Sequence, residues 1–90
     1  MPCPALSFTG ITPDVMGCCV QAAQLRGARI PYPLPASGEV TVGSFTFTWT
    51  YDKVARTATV QCTKKPRVVP CVVINGTLKG TIKECGGTPV

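Results

Sequence analysis

Four aromatic side chains at alternate positions constrain this chain more than any other feature. Phe45, Phe47, Trp49 and Tyr51 alternate with Ser44, Thr46, Thr48 and Thr50. A strand sends successive side chains to opposite faces, so the run predicts one ring-bearing face and one hydroxyl face. After Asp52-Lys53-Val54-Ala55 the alternation resumes, with Ala58, Val60 and Cys62 set against Thr57, Thr59, Gln61 and Thr63. Two such runs joined by a short polar turn predict a β-hairpin over residues 39–63. Val40 and Val42 carry the opposite parity to the aromatics, which predicts a bulge at Gly43-Ser44.

An apolar sheet face needs cover, and two flanking segments offer it. Thr12-Pro13-Asp14 reads as a helix start: Thr caps, Pro tolerates the first turn, and Asp suits the positive end. Val15, Met16, Cys19, Ala22 and Ala23 then share one side of the helical wheel, and Gly27 is a natural stop, so a helix is predicted over 13–27. Ile30-Pro31-Tyr32-Pro33-Leu34-Pro35 alternates proline with apolar residues and predicts a stiff, extended connector over 30–36.

The last third supports two readings. Cys71, Ile74, Leu78, Ile82 and Cys85 form one narrow helical stripe behind Pro70, predicting a helix over 70–85. Asn75-Gly76 between apolar runs reads instead as the turn of a second hairpin, and Gly76 and Gly80 each cost a helix ~1 kcal/mol. The stripe favours the helix.

The segments Trp49-Thr50-Tyr51-Asp52, Thr59-Val60-Gln61-Cys62, Lys65-Pro66 and Pro70-Cys71-Val72-Val73-Ile74-Asn75-Gly76 resemble those of small, uncharacterised bacterial proteins. The resemblance spans roughly 39–85 and implies a helix, hairpin, helix layout with no assigned activity.

At 90 residues the chain is expected to form a single small domain, 1–90, of α+β class. Its expected architecture is helix–hairpin–helix, two helices packed on one face of an antiparallel β-hairpin. A two-stranded sheet leaves both edges open and is marginal alone, so self-association that extends the sheet is expected as well. Val40, Val42, Val68, Val69, Val72 and Val73 fall outside both core stripes and are the candidate self-association surface.

Catalytic equipment is sparse. There is no His, which removes the commonest general base and metal ligand, and only four carboxylates, Asp14, Glu39, Asp52 and Glu84. No phosphate-binding glycine loop occurs. Cys71, at the start of a helix beside Arg67, is the best nucleophile candidate, with a buried packing role as the plainer reading. The six cysteines, at 3, 18, 19, 62, 71 and 85, contain no C-x-x-C pair for zinc, and their pairing is open. Buried thiols with one or two bridges are the simplest expectation. No catalytic residue, metal or cofactor is assigned, and the chain is read as a non-enzymatic interaction or structural module that binds a second copy of itself.

Charge gives the alternative. Nine Lys and Arg against four acidic residues leave +5, and Lys64, Lys65, Arg67, Lys79 and Lys83 lie in the last third. They are candidate anion-binding residues for nucleic acid or an acidic surface, set against a plain solvated surface. Asn75-Gly76-Thr77 matches a glycosylation sequon, which chance produces often. The first residues show neither a basic stretch nor an apolar core of a secretory signal, and no apolar run reaches the ~18 residues of a membrane span. That favours a cytoplasmic address; a secreted, disulfide-stabilised effector carries the same composition.

Overall fold

The aromatic run is the centre of a larger sheet. The computed structural model describes residues 3–30 and 36–90. Its elements are β1 (Leu6–Thr9), α1 (Pro13–Leu25), β2 (Ser37–Val42), β3 (Phe45–Asp52), β4 (Thr57–Lys64), α2 (Cys71–Glu84) and β5 (Thr88–Pro89). The five strands form one antiparallel sheet in the order β2-β3-β4-β1-β5. The class is α+β with two helices, but the helix–hairpin–helix architecture on a two-stranded hairpin is overturned. Most of the predicted connector, residues 31–35, lies outside the described residues.

Three local facts explain the extra strands. Residues 39–63 contain most of β2 as well as β3 and β4. Val42 stands opposite Phe45 across the two-residue turn Gly43-Ser44, so Val40 and Val42 face the same side as Phe47 and Phe45. Parity reverses at such a turn, and Gly43 at φ +60° supplies the left-handed conformation it needs. The irregularity that parity suggested lies instead between Thr46 and Phe47, against β4. The strands β1 and β5, of four and two residues, are too short to show a period of their own. With β1, β2 and β5 supplied by the chain itself, the sheet does not need a second copy to extend it.

Cross-strand partners share a face. The row Gly38, Trp49, Val60, Leu6 runs across four strands on the inner side. One residue along, Ser37, Thr50, Thr59 and Ser7 make the corresponding hydroxyl row outside. Gly38 has a specific reason to lack a side chain: a Cβ there would sit 2.6 Å from the Trp49 indole.

Both helices end in the same motif. In α1, Gly27 at φ +96° donates to the Gln24 carbonyl at 3.0 Å, and the buried Ala28 donates to Ala23 at 3.1 Å. In α2, Gly86 at φ +110° donates to Lys83 at 3.0 Å, and Gly87 donates to Ile82 at 2.9 Å. The start of α1 is capped as its sequence predicts, with the Thr12 hydroxyl accepting from the Val15 N–H at 3.3 Å. No side chain caps α2, whose N-cap is Pro70; Cys71, its first residue, is instead bridged to Cys3. The Asn75 amide, within α2, donates to the Pro4 carbonyl at 3.3 Å.

Two disulfides, Cys3–Cys71 and Cys18–Cys85, close loops of sequence separation 68 and 67. Chain-entropy arithmetic gives about 4 kcal/mol for either loop taken alone. The loops overlap, so together they contribute less than the sum. One core cluster joins Phe8, Ile11, Ala58 and Ile82, with Val15, Met16 and Cys19 of α1 packed against it. The second cluster joins Cys3, Cys62 and Ile74 near the first bridge.

Candidate functional site: an apolar cavity under the aromatic strands

The inner face is covered unevenly. Phe8 and Ile11 are sealed, whereas Phe45, Phe47 and Trp49 on the same face are only half-buried. Above those rings lies an apolar cavity of about 430 Å3. That volume falls within the ~300–1,000 Å3 typical of small-molecule sites. Its floor is Val40, Val42, Phe45, Phe47, Trp49 and Val60; α1 and α2 form the walls.

The cavity follows from side-chain volume. On α1 the wall residues run Met16, Cys19, Val20, Ala22, Ala23 and Arg26. Bulk falls along the helix from Met and Val to paired alanines, and α1 has no fully buried residue. Alanine methyls cannot reach rings some ~10 Å away across a helix–sheet layer, so space is left between them. On α2, Val73, Ile74, Thr77, Leu78, Thr81 and Ile82 complete the enclosure. The taper of α1 toward alanine leaves this space, and it signifies a cavity only once the rings opposite are in place.

The six candidate self-association residues divide. Val40, Val42, Val69 and Val73 line the cavity, while Val68 and Val72, 88% and 77% exposed, are outside its wall. The candidate anion-binding residues are distributed over three parts of the chain. Lys64 ends β4, Lys65 and Arg67 lie in the segment before α2, and Lys79 and Lys83 sit on α2. At 1.5 Å per helical residue, Lys79 and Lys83 lie ~12 and ~18 Å along the helix from its start.

The cysteines change the chemical reading. Cys71, the nucleophile candidate, is bonded to Cys3 and offers no thiolate. The two free thiols are Cys19, half-buried in the cavity wall, and Cys62, fully enclosed. Cys62 Sγ donates to the Lys64 carbonyl at 3.2 Å. Burial pushes both thiols above their ordinary 9.0, in Cys62 against the opposing charge of Lys65. Both are therefore protonated and weakly nucleophilic near neutral pH. Among the described residues no three His, Cys, Asp or Glu side chains converge as metal ligands. No helix among the described residues is long and apolar enough to cross a membrane.

No family model matches the chain, and no curated protein or solved structure is significantly similar to it.

Proposed function

We propose that this chain is a non-enzymatic, disulfide-stabilised binding module whose apolar cavity takes a small apolar ligand. The cavity beneath Phe45, Phe47 and Trp49 carries this reading, because a void of that size lined by half-buried rings is where an apolar molecule gains most by leaving water. The two bridges support an oxidising compartment over the cytoplasmic address, since glutathione and thioredoxin keep cytosolic thiols reduced.

Titration with the neutral fluorophore N-phenyl-1-naphthylamine tests the reading. Saturable binding of one probe per chain is expected, abolished by Ala23→Trp, which fills the space between α1 and the rings. An absence of probe binding, or binding that Ala23→Trp leaves untouched, rejects it.

Self-association is the second reading. Val68, Val72 and Val73 favour it, being 88%, 77% and 55% exposed around the first turn of α2. Sedimentation at tens of micromolar tests it: a dimer broken by Val68→Lys plus Val72→Lys supports this surface, and a monomer removes it.

A further inference from the structure

The cavity has a closed end and a charged end. At one end Met16 and Cys19 pack against the buried cluster of Phe8, Ile11, Ala58 and Ile82. The Cys18–Cys85 bridge fastens α1 to the C-terminal end of α2 at that same place. Ten residues on from Met16, ~15 Å at the helical rise, the exposed Arg26 joins the wall at the C-cap of α1, with Ala28 and Ile30 lining it beyond. Arg26 is the only charged residue in the wall among the described residues. None of the chain's four carboxylates, Asp14, Glu39, Asp52 and Glu84, belongs to it.

This polarity defines a ligand shape. A tail lying along this wall with its head at Arg26 would meet apolar contacts along its length and reach Met16 and Ile82 at the far end. Its head would lie beside a guanidinium that presents paired N–H donors. The arginine stem extends the apolar wall while its head reaches water. The net charge of +5 favours the approach of anions as well.

We infer that the cavity binds an elongated anionic amphiphile, a linear alkyl chain ending in a carboxylate, with the chain beneath the β3 rings and the carboxylate on Arg26. The inference rests on the cavity being a ligand site at all, and the following experiment separates the two claims.

Displacement of N-phenyl-1-naphthylamine by decanoate and by 1-decanol is compared at pH 8, below the concentration at which decanoate forms micelles. The same titrations are run on Arg26→Gln. Decanoate is expected to bind ~10-fold more tightly than decanol to the native chain, the factor that one charge-assisted pair supplies. In Arg26→Gln the two should bind equally, at the native affinity for decanol. Equal binding of acid and alcohol to the native chain overturns the anionic head and leaves the apolar site intact. A preference for decanoate that persists in Arg26→Gln overturns the role of Arg26. Failure of the probe and both chains to bind overturns the site itself.

Discussion

The two ends of the inner sheet face carry similar side chains and meet opposite fates. In one core cluster, Phe8 and Ile11 are 0% and 1% exposed and pack against Ala58 and Ile82. Under β2 and β3, three aromatic rings remain half-buried beside a void. Hydrophobicity does not distinguish the two regions; the bulk offered by the opposing helix does. Ile82 on α2 and Val15 and Met16 on α1 close the first region, whereas Ala22 and Ala23 leave the second open. A chain that holds one region tightly can leave the other incompletely filled without losing the fold.

The contrast can be broken at its strongest point first. Replacing Cys18 and Cys85 together by Ser should destabilise the chain by several kcal/mol, somewhat below the ~4 of a lone loop because the Cys3–Cys71 loop stays closed, read as a lower urea midpoint. Phe8→Ala comes next: truncating a sealed aromatic costs ~3–5 kcal/mol. Phe45→Ala, by the same measurement, should cost less than Phe8→Ala, since its ring is only half-buried and borders the cavity. Equal losses at the two phenylalanines would erase the distinction between the regions. Gly38→Ala should cost ~1–3 kcal/mol, because the added methyl displaces the Trp49 indole. It should also shift tryptophan emission, which Gly76→Ala, with open space around it, should not.

The smallest effect is on pH. A thiol with a raised folded-state value holds its proton longer folded than unfolded. The stability this represents is fully present below pH 9 and is lost as pH rises through the folded values of Cys19 and Cys62. Urea midpoints should therefore decline above pH 9, and less so in Cys62→Ala. Iodoacetamide should modify half-buried Cys19 before enclosed Cys62, both slowly at pH 7.

The residues that made the sequence legible were those whose geometry is local. Thr12, Pro13 and Gly27 mark the limits of α1 through hydrogen bonds within a few residues. The stripe Ile74, Leu78, Ile82 outweighs Asn75-Gly76 because Ile74 and Ile82 are buried in the core clusters and Leu78 packs against one of them. Non-local information was not readable. Leu6 and Phe8 become a strand only by pairing with Val60 and Ala58, 54 and 50 positions away. The faces of Val40 and Val42 depend on a turn that reverses parity, and the bridges depend on which distant segments meet in the fold. The cavity was hidden for a related reason: Ala22 and Ala23 read as ordinary helix residues until the rings opposite them are in place.

Trp49 is the chain's only tryptophan and lies in the cavity floor, so its emission reports on the open region alone. The most direct test is acrylamide quenching of Trp49 with and without saturating decanoate. Partial quenching is expected in the free protein, falling sharply with a blue shift as one equivalent binds. Emission of a fully water-exposed indole, or quenching indifferent to decanoate, would contradict an apolar binding site beneath these strands.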